Sequence, residues 1–163
     1  AAGVDFGAGT RDGRMLRLTF VAPPASRFTN WQQAHFNASE LADEAVSGPL
    51  ADPEHTGAPN LLRFALGLGR YDDARPALPR VRRIDGVAVF SYRRLLDSSA
   101  DVSYRILVSE DLPAGDWRPA VEGTDLVGIG AVPTGDGATE WVHYRVPADG
   151  GGTATFFRLE VTR

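Results

Sequence analysis

The chain has 163 residues, of which 43% are apolar, a formal net charge of −4 and no cysteine. This length and apolar content fit one domain with a sizeable core and a short extension. The mild negative charge offers no large basic surface to nucleic acid, no apolar run is long enough to cross a bilayer, and the lack of cysteine excludes disulfides and thiolate metal sites.

The N-terminal part predicts one β-strand and a connector. Within the sequence MLRLTFV at 15–21, Leu16, Leu18 and Phe20 alternate with polar residues, and a pair of prolines then ends the strand. No basic stretch followed by an apolar one marks a signal peptide before it. We therefore expect residues 1–27 to be a strand and connector from a preceding region of a longer polypeptide.

Two helices are predicted next, between residues 28 and 70. Thr29 is a suitable N-cap with Gln32 at the capping-box position, and the first helix is expected to continue to Ser47. Its apolar face is predicted to contain Trp31, Ala34, Ala38, Leu41 and Ala45. A shorter helix is predicted at 60–66, where Gly67 or Gly69 supplies a left-handed cap.

Residues 78–163 carry short alternating segments separated by turn residues. The dipeptide Asp85-Gly86 lies between two such segments and predicts a two-residue hairpin. Several short strands at this spacing indicate an antiparallel sandwich or barrel, joined to the helices by a linker at 71–79. The predicted fold is mainly β: an antiparallel β-sandwich with a short N-terminal helical pair.

An acidic loop between the two helices has the spacing of a calcium-binding loop. The positions of its oxygen ligands are occupied by Asp52, Glu54, Thr56 and Asn60. Gly57 stands at the turn position, but Arg63 stands where such loops place a bidentate glutamate. The arginine would repel calcium at the position that usually contributes most charge.

Four segments, taken in order, resemble a C-terminal module of large exported proteins of Verrucomicrobia and related bacteria. They are FTNWQQAHF, ADPEHTGAPNLLRFALG, VSYRILVSEDLPAGDW and FFRLEVTR, and the resemblance covers 28–163. In that family a dockerin-like or thrombospondin type 3-like loop precedes an apolar helix. By position the family's loop acids fall on Asp52, Glu54, Thr56 and Asn60, and its helix glutamate falls on Arg63.

The departures at Thr56 and Arg63 decide the cofactor prediction. We expect a loop held by turn hydrogen bonds and the bend at Gly57, without an ion. A weak calcium site completed by carbonyl groups and water is the alternative. The prediction is therefore no cofactor.

Aromatic residues provide a second candidate site. Trp117, Trp141 and Phe156 are candidates for an exposed platform on which sugar rings stack, as in carbohydrate-binding sandwiches. The alternative is that these rings pack in the core, to which aromatic residues contribute heavily. A group of arginines around the predicted hairpin is a further candidate for an acidic partner or polysaccharide, or else a solvated strand face. It comprises Arg80, Arg82, Arg83, Arg93 and Arg94.

Catalytic residues are not predicted. The three histidines, His35, His55 and His143, have no metal-pair spacing, and no serine lies in a nucleophile-elbow sequence. We expect a non-catalytic structural or attachment module, extracellular or at the cell surface, at the C-terminal end of a larger exported protein. Its expected partners are the upstream domain and a cell-envelope component or polysaccharide, without nucleic acid or a membrane span. A carbohydrate-binding module is the second hypothesis, and a small hydrolase is a remote third.

Overall fold

The computed structural model describes residues 26–96, 101–112, 114–147 and 155–163. The predicted strand at 15–21 lies outside the described residues, as does most of the predicted connector. Four short α-helices come first, followed by a 3₁₀ turn at Arg75–Ala77. The helices are α1 (Arg27–His35), α2 (Ala38–Leu41), α3 (Glu44–Ser47) and α4 (Asn60–Ala65). None of these helices is both long and apolar enough to cross a membrane.

The helix predicted to run from Thr29 to Ser47 is instead divided into α1, α2 and α3. It begins earlier, because Ser26 accepts a hydrogen bond from the Thr29 backbone N–H at 3.1 Å and serves as the N-cap. Asn37 then forms a capping box with Glu40, and Asp43 caps α3. These side chains bind backbone N–H groups that a continuous helix would use, so the chain turns at each of them. The predicted apolar face is consequently wrong: Ala34, Ala38, Leu41 and Ala45 are exposed.

Seven strands of the described residues form two antiparallel sheets, which confirms the predicted fold class. The four-stranded sheet has the order β1-β2-β6-β5 and the three-stranded sheet has the order β4-β3-β7. The strands are β1 (Arg80–Ile84), β2 (Val87–Leu95), β3 (Ser103–Ser109), β4 (Arg118–Pro119), β5 (Val127–Pro133), β6 (Thr139–Arg145) and β7 (Phe156–Thr162).

The hairpin between β1 and β2 follows the sequence prediction. Ile84 pairs with Val87, which leaves Asp85 and Gly86 as the two turn residues. Both have positive φ angles, 50° and 81°. This conformation matches the right-handed twist of the flanking strands, and glycine adopts it at little cost.

The inner faces of the two sheets pack against each other. Phe90, Tyr92 and Val142 of the four-stranded sheet contact residues of the three-stranded sheet. Those partners are Tyr104, Ile106, Phe157 and Leu159. Since side chains alternate along a strand, the neighbours of these residues face outward from each sheet. The two outer faces are where the candidate site residues of the strands lie.

The helical part packs against one end of the sandwich. Phe28, Leu61 and Phe64 form a buried cluster with Leu95 and Val102, which lie where β2 ends and β3 begins. The Tyr104 hydroxyl donates a hydrogen bond to the Ala65 carbonyl at 2.7 Å and accepts one from the Leu95 backbone N–H at 3.1 Å. The Tyr104 hydroxyl therefore makes two hydrogen bonds beside the buried apolar cluster. These bonds fix the orientation of α4 on the sheets.

Candidate functional site

The acidic loop is closed by hydrogen bonds from its own backbone to Asp52. Asp52 Oδ1 accepts from the backbone N–H and the hydroxyl of Thr56, each at 3.1 Å, and Oδ2 accepts from the Gly57 N–H at 2.6 Å. Partial burial acts to raise the pKa of Asp52, but these hydrogen bonds outweigh it and the pKa is lowered. Gly57 has φ 77°, which lets the chain bend around the carboxylate.

Arg63 lies inside the loop with only 2% of its surface exposed. Its Nε donates to the Ala58 carbonyl at 3.1 Å, and Nη1 donates to the carbonyls of Gly69 and Asp72 at 3.2 and 3.0 Å. Its Nη2 donates to the Thr56 hydroxyl at 2.7 Å. One guanidinium therefore binds four oxygen atoms from three parts of the chain.

The two remaining candidate ligands also form internal contacts. Glu54 accepts a hydrogen bond from Arg70 at 2.8 Å, and Arg70 forms a second ion pair with Glu40 at 2.8 Å. Asn60 Nδ2 donates to the carbonyls of Val46 and Gly48, both at 2.9 Å. Both side chains are therefore bound to protein groups other than Asp52.

These contacts do not fit a calcium ion. Calcium requires six to eight oxygen ligands around one point, whereas here a buried cation, the Arg63 guanidinium, already binds the hydroxyl of the candidate ligand Thr56. Within the described ranges, no group of three or more histidine or acidic side chains is placed to hold a metal. The loop is a turn centred on a carboxylate and packed on an arginine.

A cavity of about 570 Å³ lies between this loop and the linker. Arg63, Arg70 and Asp72 contribute to its wall, and each of them is bound to other protein groups. The cavity is lined by charges of both signs that are already paired.

The three candidate aromatic residues lie on opposite sides of the sandwich. Trp141 is on the outer face of the four-stranded sheet, because its neighbour Val142 is in the core. Phe156 and Arg158 are on the outer face of the three-stranded sheet, since Phe157 is in the core. Trp117 lies beside Arg158 on that same face. The three rings therefore do not form one platform.

Both candidate tryptophans, Trp117 and Trp141, have an arginine guanidinium over one face of the ring. The Arg80 guanidinium lies 4.1 Å from the centre of the Trp141 ring, and the Arg158 guanidinium lies 4.6 Å from the centre of the Trp117 ring. Such contacts are attractive because the ring face is electron-rich. Trp117 also borders a depression of about 480 Å³ that is lined by Glu110, Asp111 and Asp116, among others.

His143 is the one histidine in contact with a serine in the described part of the chain. Its Nδ1 lies 2.8 Å from Ser91 Oγ. The two residues pair across β2 and β6 on the outer face of the four-stranded sheet. No carboxylate of the described residues hydrogen-bonds to His143 to orient its ring as a general base. The pair forms a cross-strand hydrogen bond on an open face.

The predicted group of arginines is divided between the two faces of its sheet. Arg80 and Arg82 point outward, whereas Arg94 points inward and pairs with Glu140 at 2.7 Å. Arg145, which the sequence reasoning missed, joins Arg80 and Arg82 because it lies opposite Val89 in the pairing of β2 and β6. In the sequence, the alternation of side chains along β6 was the signal that places Arg145 on the same face as Trp141.

No protein-family model, curated protein or solved structure matched the chain.

Proposed function

We propose that this chain is a non-catalytic structural and attachment module of an exported protein. It would act outside the cell or at the cell surface, holding the preceding part of its polypeptide on a cell-envelope component. The proposed location outside the cell rests on the resemblance of the loop, helix and closing strand to modules of large exported proteins. The proposed structural role is supported by the contacts that the candidate residues make with other parts of the chain.

The observation that carries the proposal is the buried Arg63. A side chain at 2% exposure with hydrogen bonds to Thr56, Ala58, Gly69 and Asp72 joins the loop, the helix α4 and the linker into one unit. This arrangement stabilises a fixed shape and does not need an ion. A module with a permanently closed loop suits a structural role in a medium where calcium concentration varies.

Ring stacking on neutral sugars is the second candidate. It is favoured by Trp117, which borders the depression on the outer face of the three-stranded sheet. Against it, Arg158 covers one face of that ring and Trp141 lies on the other side of the molecule. The attachment proposal accounts for more of the observed contacts.

The direct test is sedimentation of the purified chain with a cell-envelope fraction from the organism that produces it. We expect the chain to sediment with the envelope to the same extent in calcium and in chelator. An acidic β-sandwich protein of similar size and unrelated sequence serves as the control and should stay in the supernatant. Recovery of the chain in the supernatant under both conditions would exclude attachment.

A further inference from the structure

The outer face of the four-stranded sheet is basic. We define the outer basic face as Arg80, Arg82, Ser91, Trp141, His143 and Arg145. The pairing registers place Arg80, Ser91 and His143 in one row across β1, β2 and β6, and Arg82, Val89 and Arg145 in the next. Neighbouring strands are about 4.8 Å apart, so Arg82 and Arg145 are separated by roughly 10 Å at the backbone.

Three arginines of this face lack an acidic partner in the described ranges. Arg80, Arg82 and Arg145 form no ion pair there, whereas Arg93 at the end of the same face pairs with Asp136 at 2.6 Å. Burial lowers the pKa of Arg80, and the positive charge of Arg82 lowers it further. Among the residues that the structure describes, these like charges therefore have no ion-pair partner, in a protein whose net charge is negative.

The floor between these arginines is formed by small side chains. Val89 and Ser91 of β2 are only 5% and 7% exposed, although they lie on an outer face. Longer side chains from β1 and β6 cover them on either side, and Arg80 reaches across to the Trp141 ring. The face therefore presents guanidinium groups beside the imidazole of His143, whose Nδ1 lies 2.8 Å from the covered Ser91 hydroxyl.

We propose that the outer basic face binds an anionic polysaccharide by holding its carboxylates with Arg80, Arg82 and Arg145. Guanidinium groups match carboxylates in geometry and form charge-assisted hydrogen bonds with them. His143 lies between the arginines, where its imidazole meets the hydroxyl groups of the sugar rings, and the covered Ser91 hydroxyl lies 2.8 Å from its Nδ1. This inference rests on the proposed attachment function and names the chemistry of the surface to which the module attaches.

A polysaccharide fits this face better than a nucleic acid does. Proteins bind nucleic acids through many contacts to phosphate groups, and the domains that do so carry a strong positive charge. This chain carries −4 overall, so a closely charged polymer would be repelled outside the one basic face. A uronic acid polymer carries fewer charges per length and offers hydroxyl groups between them.

The test measures binding of the full chain to polygalacturonate by isothermal titration calorimetry. The triple variant Arg80→Gln, Arg82→Gln, Arg145→Gln should bind at least about tenfold more weakly, since about 1.4 kcal/mol is a factor of ten and hydrogen bonds to charged groups contribute on this scale. The matched control is Arg75→Gln, Arg105→Gln, Arg158→Gln, which has the same net charge. Like the first triple variant, the control removes an arginine from the face of a tryptophan ring, here Arg158 from Trp117 on the opposite sheet. The control should bind like the original chain, and binding should weaken as salt is raised.

Each other outcome overturns the inference. No binding to polygalacturonate, or equal loss in both triple variants, would exclude this face as the site. Equal affinity for poly-glutamate or for a DNA duplex would identify a general polyanion surface, and equal affinity for dextran would remove the role of charge. If the first triple variant unfolds, Arg82→Gln and Arg145→Gln are tested singly, because both side chains are exposed.

The attachment proposal and this inference fail separately. Sedimentation with the envelope but no binding to polygalacturonate would overturn the inference and leave attachment standing. Binding to polygalacturonate without sedimentation would exclude attachment to that envelope and leave the polysaccharide surface standing.

Discussion

Arg63 donates a hydrogen bond to the Thr56 hydroxyl at 2.7 Å across the acidic loop. The two residues are the positions at which the chain departs from the calcium-loop pattern, and the structure places them in direct contact. One carries a fixed positive charge in place of an acid, and the other supplies a neutral oxygen in place of a carboxylate. The two departures compensate each other, because the guanidinium holds the loop from within.

The first prediction concerns the contribution of Arg63 to stability. Arg63→Met fills a similar volume but leaves three carbonyls and one hydroxyl without their donor. We expect the free energy of unfolding, measured by urea denaturation, to fall by about 3 kcal/mol or more, since each unsatisfied buried group costs roughly 1–3 kcal/mol. Arg75→Met is the control, because that side chain is 89% exposed and should change stability little. A change of the same small size in both variants would show that the buried guanidinium is not needed.

The second prediction concerns calcium. An ion that binds only the folded chain raises the melting temperature, whereas oxygen atoms of Asp52, Glu54 and Thr56 already accept hydrogen bonds from the loop backbone, Arg70 and Arg63. We expect the same melting temperature in millimolar calcium and in excess chelator. A decrease on chelation would mean that a metal binds the native chain and would contradict the interpretation of the loop.

The sequence predicted features that depend on local spacing. The hairpin at Asp85-Gly86, the alternation of Tyr104 and Ile106, and the left-handed cap at Gly67 were all confirmed. Each depends on a turn residue or a two-residue period, which physical rules relate directly to backbone geometry. The sequence also shows that Arg63 stands at the position where a calcium-binding loop places its glutamate.

Features that depend on competing contacts were not predicted. The spacing predicts Asn37 and Asp43 within one helix, yet their side chains cap two separate short helices. The position of Arg63 predicts that it repels an ion, but the side chain is buried and binds acceptors on both sides of it along the chain, including Thr56 and Asp72. Contacts of this kind depend on tertiary packing, which spacing alone does not specify.

The third prediction concerns stability at acid pH and the carboxylate of Asp136. The Thr139 hydroxyl donates to it at 2.6 Å, which is the main reason that its pKa is lowered; burial opposes this effect, and the backbone N–H groups of Ala138 and Thr139 lower the pKa further. A lowered folded-state pKa stabilises the protein above the unfolded-state value of about 3.9. That contribution is lost as the pH falls below this value.

We therefore expect the free energy of unfolding of Asp136→Asn to depend less on pH than that of the original chain between about pH 5 and pH 2. Urea denaturation at several pH values measures the slope. Asp116→Asn is the control, because Asp116 forms no hydrogen bond or ion pair with the described residues, and its slope should match the original. Equal slopes in all three proteins would contradict the role of Asp136.

The fourth prediction concerns the tryptophan rings as a platform for neutral sugars. Arg80 and Arg158 each cover one face of Trp141 and Trp117, respectively, so a sugar ring that stacks on that face has to displace a guanidinium. We expect no shift of tryptophan fluorescence on titration with a neutral soluble glucan. A saturable shift that Trp117→Ala abolishes, with the fold intact by circular dichroism, would instead support the carbohydrate-binding hypothesis. The matched variant Trp141→Ala would show whether the opposite face contributes.

The fifth prediction tests the packing of the helical part on the sandwich. Gly67 ends α4 with φ 65°, and a Cβ atom there would overlap the Thr139 side chain of β6, which is fully buried. Gly57 has a similar positive φ of 77° but open space around it. Alanine at either position is strained by about 1–2 kcal/mol because of its backbone conformation.

Gly67→Ala adds a steric clash between α4 and the sheet, so its free energy of unfolding should fall by about 1–3 kcal/mol more than that of Gly57→Ala. The comparison cancels the backbone cost and isolates the contact between the two parts. Equal losses in the two variants would mean that the helical part moves aside freely, and the end of the sandwich would then not be a fixed interface. A larger loss in Gly67→Ala, with a single cooperative transition, would show that the helices and the sheets unfold as one unit.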